Sequence, residues 1–195
     1  MTKLIFIRHA ETDMAGTFCG HSDPELNANG FGQLPDLIDE LRCQPIQEVY
    51  SSDLRRAKQT AQAIAAHFQV ECHIRKELRE IHFGRWEGLR WSEVETREPE
   101  AAQRWIHEHP NGSFPGGEST RAFASRVTKE VQFYREEARA RTLAIVTHAG
   151  FIRGALMQMF GVSEEKAWDC TRKYGSVILV DPNLAMEHRP VEEFA

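Results

Sequence analysis

The chain has 195 residues, of which 41% are hydrophobic and 27% are charged, and its formal net charge is −5. This length and composition can build one hydrophobic core, so we expect residues 1–195 to form a single domain. The negative charge argues against a broad basic surface for nucleic acid. Every apolar run is too short to span a membrane. The sequence indicates no oligomeric state.

The elements of the first half, in chain order, alternate between strand and helix, which predicts an α/β fold. They are a strand that ends at Arg8–His9, a loop from Glu11 to Leu26, a helix capped by Asn27 that runs to about Arg42, a strand from Gln47 to Tyr50, a helix from about Leu54 to Phe68 capped by Ser51–Asp53, and a weak strand from Val70 to Ile74. Pro35 lies inside the first helix and is expected to kink or shorten it.

The second half continues the alternation. It contains a loop from Glu77 to Gly88, one or two polar helices from Ser92 to His109, a turn-rich break from Asn111 to Gly117, a long helix from Ser119 to Arg139, a strand from Thr142 to Thr147, a helix from about Phe151 to Phe160, and a strand from Tyr174 to Val180.

The four cysteines are Cys19, Cys43, Cys72 and Cys170. They are widely spaced and form no CxxC pair, so neither a zinc site nor a disulfide framework is indicated. The N-terminal apolar run is too short for the core of a signal peptide. We therefore expect a cytoplasmic protein with reduced thiols.

Two segments, residues 3–10 and 142–150, each contain an apolar run that leads to a histidine, His9 in the first and His148 in the second. Ligands of α/β sheets bind beyond the carboxyl ends of such strands, so the two histidines are expected to share one site. Arg8 beside His9 favours an anion, most simply a phosphate. A histidine with one neutral ring nitrogen can act as a nucleophile, and a second can stabilise developing charge. The alternative for each is an ordinary packed histidine.

Three cationic residues, Arg55, Arg56 and Lys58, open the helix that follows the strand ending at Tyr50. Helix N-termini attract anions, and arginine adds bidentate donors there. Cations are unfavourable at that end unless a ligand needs them. A solvated basic face is the better interpretation for Arg55 and Lys58.

A carboxylate in the aromatic loop from Glu77 to Gly88 could be kept protonated by partial desolvation and act as a general acid. The residues alone do not choose between Glu77, Glu80 and Glu87. The pair His107-x-His109 lacks further ligands nearby, so we expect no metal site there. Further along the chain, Arg153 and Arg172 are expected to be surface cations rather than substrate ligands.

Taken together, these motifs resemble the histidine phosphatase superfamily, also called the phosphoglycerate mutase-like family. The matching segments are Phe6–Thr12 (family Leu-Ile-Arg-His-Gly-Glu-Thr), Tyr50–Ala61 (Tyr-Ser-Ser-Asp-Leu-x-Arg-Ala-x-x-Thr-Ala), Leu78–Gly88 (Leu-x-Glu-x-x-Phe-Gly-x-Trp-Glu-Gly), Pro115–Ser119 (Pro-Gly-Gly-Glu-Ser) and Thr147–Gly150 (Ser-His-Gly-Gly). The departures are alanines, Ala10 and Ala149, where the family has glycine.

The resemblance implies an α/β fold, a three-layer α/β/α sandwich with a mostly parallel central sheet. It implies that His9 attacks phosphorus and that Glu80 protonates the leaving oxygen. It also implies a phosphate site that needs no metal or other cofactor. The residues that it assigns to substrate contacts are Arg8, Arg56, His148, Thr12, Cys19, Gly20 and Ala149.

The family contains phosphatases, mutases and relatives that only bind. The Trp-Glu-Gly and Pro-Gly-Gly-Glu-Ser motifs, the compact segment from Arg90 to Phe114 and the short tail after Val180 favour a phosphomonoesterase of a small phosphorylated metabolite. Within that branch the chain resembles broad-specificity and α-ribazole-phosphate phosphatases. A cofactor-dependent phosphoglycerate mutase and a non-catalytic phospholigand-binding module are the alternatives. Recognition of the leaving group is expected to fall to the loops Asp13–Asp23 and Arg85–His109.

Overall fold

A computed structural model describes residues 2–108 and 112–183. The strands are β1 (Leu4–Arg8), β2 (Ile46–Ser52), β3 (Cys72–Arg75), β4 (Thr142–Thr147) and β5 (Val177–Val180). The helices are α1 (Ala28–Leu41), α2 (Arg55–Phe68), α3 (Trp91–Arg97), α4 (Pro99–Glu108), α5 (Thr120–Glu137), α6 (Ala149–Phe160) and α7 (Glu164–Cys170), with 3₁₀ turns at Lys76–Leu78 and Gly84–Trp86.

The strands form one sheet in the order β3-β2-β4-β1-β5. All neighbouring strands are parallel except β5, which pairs antiparallel with β1. This confirms the mostly parallel sheet. Because β1 and β4 are neighbours with Arg8 opposite Thr147, the residues that follow them, His9 and His148, emerge side by side at one edge.

Helices cover both faces of the sheet, which makes the three layers. Leu4 and Phe6 of β1 belong to a core shared with α5 and α6, whereas Ile5 and Ile7 belong to a second core shared with α1 and α2. Each of these four side chains is fully buried. A strand buried on both faces needs an apolar residue at every position, which explains the continuous apolar run.

Two predictions about α1 have different outcomes. Asn27 caps the helix as predicted, because its side chain accepts the N–H of Gly30 at 2.8 Å. Pro35 does not shorten the helix, which continues to Leu41. Pro35 is exposed, so the carbonyl of Phe31, which loses its helical donor, can be solvated.

One predicted cap and one predicted helix start were wrong, and one short helix was missed. Ser51 and Ser52 do not cap α2 but belong to β2, and the helix begins at Arg55, whose N–H donates to the carboxylate of Asp23 at 2.6 Å. The helix after His148 begins at Ala149 rather than at Phe151. The short helix α7 was not predicted, although Ser163 caps it through the N–H of Lys166.

Two predicted boundaries, at His109 and Asn111, lie outside the described residues. None of the helices within residues 2–108 and 112–183 is long and apolar enough to cross a bilayer.

Candidate active site

His9 is buried at the carboxyl end of β1, and its two ring nitrogens have different partners. Nδ1 lies 2.7 Å from the carbonyl oxygen of Ala10, which can only accept a hydrogen bond, so the proton is assigned to Nδ1. Nε2 then carries the lone pair, and it accepts the Nε–H of Arg56 at 3.2 Å. The ring is thereby held in the tautomer whose Nε2 is unprotonated, and this atom can attack an electrophile once the Arg56 Nε–H turns from it to an oxygen of the ligand.

The charge state of His9 follows from its surroundings. Burial lowers its pKa well below the ordinary value, and the neighbouring charges of Arg56 and Arg8 lower it further, against a smaller opposite effect of the bond to Ala10. His148, whose ring centroid lies 5.1 Å from that of His9, has its pKa lowered by burial and by the same arginines. Both imidazoles are therefore neutral at pH 7.

Arg56 is completely buried in the first turn of α2. Beyond its bond to His9, its guanidinium donates to three backbone carbonyls of one loop, those of Ser22 at 2.6 Å, Gly20 at 2.8 Å and Cys19 at 3.1 Å. The neighbouring Arg55 is exposed and forms an ion pair with Glu25. The helix periodicity turns one arginine inward and the other outward, as the resemblance implied.

Arg8 is held by the segment between α7 and β5. Its Nη1 donates to the carbonyls of Thr171 at 2.7 Å and Arg172 at 2.9 Å, and its Cζ lies 3.7 Å from the ring centroid of Tyr174. The Tyr174 ring is also 5.6 Å from the His9 ring. Burial lowers the pKa of Arg8, and Tyr174 and Glu80 partly offset that effect. Its Nε is buried without a partner among the described residues.

Tyr174 is a site residue that the sequence analysis missed, having placed it only at the start of a strand. It lies 165 residues beyond His9 in the sequence, so only the antiparallel pairing of β5 with β1 brings it to the site. No local motif signals such a contact.

His148 precedes the first residue of α6 and is almost fully buried. Its Nε2 lies 3.0 Å from the hydroxyl of Ser52 at the end of β2. Its Nδ1 is buried and has no hydrogen-bond partner in the part of the chain that the structure describes. The site therefore presents two buried, unpartnered nitrogens, Arg8 Nε and His148 Nδ1, in addition to His9 Nε2. A buried polar atom without a partner is costly, and a ligand with acceptor and donor oxygens would satisfy both.

The three candidate carboxylates, Glu77, Glu80 and Glu87, differ in their hydrogen-bond and ion-pair partners. Both oxygens of Glu80 accept backbone N–H groups, Oε2 from Gly150 at 2.8 Å and Oε1 from Ile81 at 2.9 Å. This places Glu80 at the N-terminus of α6, beside His148. Glu77 is exposed and pairs with Arg75.

Glu87 instead ties two loops together. Its carboxylate accepts the N–H groups of Gly20, His21, Ser22 and Phe83 at 2.8–3.1 Å, and the hydroxyl of Ser22 at 2.6 Å. Burial alone would raise the pKa of Glu87, but the hydrogen bonds from Ser22, His21 and Phe83 outweigh it and hold the pKa below its usual value. The loop so fixed is the one whose carbonyls orient Arg56.

The remaining residues to which the resemblance assigns substrate contacts are Thr12, Cys19, Gly20 and Ala149. Thr12 is buried, and its hydroxyl accepts the N–H of Met14 at 3.3 Å. The N–H of Gly20 donates to Glu87, and the carbonyls of Cys19 and Gly20 accept from Arg56. These backbone groups therefore hold Arg56 in place. Ala149 is the first residue of α6.

Of the two arginines expected at the surface, Arg172 is exposed and pairs with Asp169. The prediction for Arg153 was wrong. Its side chain is partly buried, with Cζ 3.5 Å from the ring centroid of Trp168. No group of three His, Cys, Asp or Glu side chains within residues 2–108 and 112–183 is arranged to hold a metal ion.

Comparisons with known proteins identify the family that this chain resembles. The family model for the histidine phosphatase superfamily (branch 1) matches residues 4–185. Phosphoserine phosphatase 1 of Hydrogenobacter thermophilus is 33% identical over 182 residues, covering 91% of this chain and 86% of that protein. Adenosylcobalamin/alpha-ribazole phosphatase of Salmonella typhimurium is 28% identical and covers 92% of this chain and 90% of that protein.

A solved structure is similar in fold to this chain. The crystal structure of the alpha-ribazole phosphatase from Shigella flexneri superposes with a TM-score of 0.81 at 28% identity, covering 92% of this chain and 90% of that one. The match of the family model to nearly the whole chain, together with the fold, shows that the chain belongs to branch 1 of the histidine phosphatase superfamily.

Proposed function

We propose that this chain is a metal-independent phosphomonoesterase, a single histidine phosphatase domain that hydrolyses a small phosphorylated metabolite through a phosphohistidine at His9. The observation that carries the proposal is the tautomer of His9: Nδ1 is committed to Ala10, so Nε2 is unprotonated and adjacent to the buried Arg56. A neutral imidazole so oriented is a competent nucleophile.

In the first step His9 Nε2 attacks phosphorus and the bond from phosphorus to the ester oxygen breaks. Glu80 gives its proton to that oxygen, so the alcohol leaves neutral. Arg8, Arg56 and His148 bind the non-bridging oxygens, and their buried donors are oriented before the reaction begins. The two arginines supply the positive charge that a phosphate dianion requires.

In the second step Glu80, now a carboxylate, takes a proton from water as that water attacks the phosphohistidine. The nitrogen–phosphorus bond breaks, and inorganic phosphate and neutral His9 are regenerated. The same carboxylate thus acts as acid and then as base. The buried surroundings of Glu80 at the end of α6 position it for both steps.

Hydrolysis is favoured over phosphoglycerate mutation because both relatives described above are named as phosphatases. Retention of His9 and Glu80 favours catalysis over ligand binding alone. The widely spaced cysteines favour a reducing compartment, so we include a cytoplasmic location in the proposal.

The test is steady-state hydrolysis of a panel of phosphomonoesters in EDTA, comparing the parent protein with the His9→Ala variant. The panel includes 3-phosphoglycerate with a 2,3-bisphosphoglycerate primer. Phosphate release by the parent, absent from the variant and unaffected by EDTA, is the expected result. Interconversion of 3- and 2-phosphoglycerate with little release would show a mutase. A folded parent that binds phosphate and turns over nothing would show a binding module.

A further inference from the structure

Arg153 is a cation near the phosphate site, among the described residues, to which the proposed mechanism gives no role. Arg153 lies on the first turns of α6, and its Nε donates to the carbonyl of Ala149 at 3.2 Å. Helical side chains slope towards the N-terminus of their helix, so this bond places the guanidinium over the end of α6 that also carries Gly150 and its bond to Glu80.

Trp168 of α7 fixes the orientation of this guanidinium. The Arg153 Cζ lies 3.5 Å from the ring centroid, which is the distance of direct stacking. Trp168 covers one face of the guanidinium plane, and Nε donates to the Ala149 carbonyl. The two Nη atoms form the edge that is left to bind a ligand. Among the described residues, neither Nη atom has a hydrogen-bond acceptor or a carboxylate within ion-pair distance, and neither is sealed from solvent.

The charge of Arg153 is therefore only partly compensated. Burial lowers its pKa, and the neighbouring positive charge of Arg8 lowers it further, while Glu80 and Glu164 act in the opposite direction. The bond to Ala149 places the guanidinium at the end of α6 where Gly150 binds Glu80. Because Glu80 is the group that would protonate the departing oxygen, this is the leaving-group side of the reaction centre. A partly buried cation without a close partner gains from binding an anion.

We propose that Arg153, held by Trp168, binds a carboxylate on the leaving group, so that the substrates of this site are phosphate esters of hydroxy acids. The inference rests on the proposed phosphomonoesterase function. The Nη edge of a stacked guanidinium matches the two oxygens of a carboxylate in a bidentate pair. The carboxylate also neutralises charge at a point where Arg8 and Arg153 repel each other.

A competing explanation is that Arg153 only supports Glu80 electrostatically. The two explanations differ in substrate dependence. An arginine that acts through Glu80 affects every ester equally, whereas one that binds the leaving group affects only esters that carry the carboxylate. A matched pair of esters separates them: 3-phosphoglycerate and glycerol 3-phosphate have the same three-carbon skeleton, with a carboxylate replaced by a hydroxymethyl group.

The first experiment measures kcat/KM for both esters with the parent and with Arg153→Gln. Arg42→Gln serves as a control for net charge, because Arg42 is exposed and forms an ion pair with Asp39 across one turn. We expect a parent that prefers 3-phosphoglycerate, and an Arg153→Gln variant that loses about 10- to 100-fold on that ester and less than about 3-fold on the other. Equal losses on both esters, or a parent without the preference, would overturn the inference.

Trp168 provides a second variant that leaves the cation in place. Trp168→Phe retains an aromatic face and should keep the preference for 3-phosphoglycerate. Trp168→Ala releases the guanidinium, and we expect the preference to fall mainly through a higher KM for that ester. An unchanged preference in Trp168→Ala would contradict the part of the proposal in which Trp168 orients Arg153.

A binding measurement keeps this inference separate from the proposed function. Calorimetric titration of the His9→Ala protein with the two esters requires no turnover. Tighter binding of 3-phosphoglycerate that disappears in the His9→Ala, Arg153→Gln double variant supports the carboxylate site even where the parent hydrolyses neither ester. Equal affinities for the two esters in the His9→Ala protein would overturn it even where the parent is an active phosphatase.

Discussion

Glu80 and Gly150 are joined by a hydrogen bond that leaves no room for a larger residue at position 150. The Gly150 N–H donates to Glu80 Oε2 at 2.8 Å. A Cβ added at position 150 would press against Oε1 and lie 3.0 Å from Cδ. The glycine that follows His148 and Ala149 is therefore required by the carboxylate beside it, since its backbone conformation is ordinary helix. The glycine of this family motif is thus needed because the segment that carries Glu80 passes close to the start of α6.

The Gly150→Ala variant should lose most of its phosphatase activity while it remains folded. The added methyl group displaces the Glu80 carboxylate, and a shift of about 1 Å in a catalytic group can lower kcat by about 100-fold. Gly154→Ala is the matched control on the same helix, because a Cβ there meets Val127 and Gln158 at ordinary contact distances of 3.5–3.6 Å. We expect Gly154→Ala to keep full activity. Full activity of Gly150→Ala would contradict the assignment of Glu80.

The buried histidines should make the fold sensitive to acid. Burial and the neighbouring arginines lower the pKa of His9 and of His148 well below 6.5. On acidification the unfolded chain takes up protons at these residues before the folded protein does, so the free energy of unfolding falls as the pH drops below about 6.5. Each residue contributes up to about 1.4 kcal/mol per pH unit. His21, whose pKa is lowered by burial and by His82, acts in the same direction.

Urea unfolding at pH 7.0, 6.0 and 5.0 measures this dependence. We expect the slope between pH 6.0 and 5.0 to be smaller in the His148→Gln variant, where one of the titrating groups is gone. His107→Gln, on the exposed face of α4, should leave the slope as in the parent. The interpretation fails where the parent is equally stable at pH 7.0 and pH 5.0.

Glu87 should matter for both stability and catalysis although the proposed mechanism gives it no part in the reaction. Glu87→Ala removes the acceptor for five hydrogen bonds to residues 20–22 and 83. We expect a loss of at least about 1.5–3 kcal/mol in the free energy of unfolding, the range for one hydrogen bond to a charged group. We also expect a lower kcat/KM, because the freed loop no longer orients Arg56. Glu87→Gln should recover part of both. Glu93→Gln, in an exposed pair with Arg97, is the control. Unchanged activity in Glu87→Ala would show that the bonds from Glu87 to this loop are not needed to orient Arg56.

Tyr174 should act as a positioning residue for Arg8. Its ring lies against the guanidinium, and such a contact is worth about 0.5–2 kcal/mol, or roughly 2- to 30-fold in binding. Tyr174→Ala is therefore expected to weaken inhibition by inorganic phosphate by that factor, whereas Tyr174→Phe keeps the ring and the affinity. The inhibition constant is the measurement of choice, since a purely structural loss would lower stability without a selective change in phosphate affinity. Equal inhibition constants in all three proteins would exclude the role.

Local sequence was sufficient wherever a side chain and its partner lie in one segment or at one sheet edge. The apolar runs before His9 and His148 predicted two buried strands. The rule that ligands bind at the carboxyl ends of strands then predicted a shared site, and their ring centroids lie 5.1 Å apart. Asn27 was correctly predicted as a cap because capping needs only a neighbouring N–H.

The same local reasoning failed where a residue had competing uses. Ser51 and Ser52 have the character of helix caps, yet pairing of β2 with β3 and β4 extends the strand through them. Residue chemistry alone could not choose between Glu77, Glu80 and Glu87; the family resemblance favoured Glu80. The structure distinguishes them by their partners, which lie up to 70 positions away along the chain.

The sequence by itself thus determined the fold class and the two strand–histidine motifs, because these depend on periodicity and on the order of the elements. The resemblance of five motifs predicted the family. The tertiary structure alone decided that Tyr174 supports Arg8, that Glu87 fastens the Arg56 loop and that Arg153 is partly buried against Trp168. These contacts join segments that are distant along the chain. Their partners become known only when the sheet order brings the loops and helix ends together at one edge.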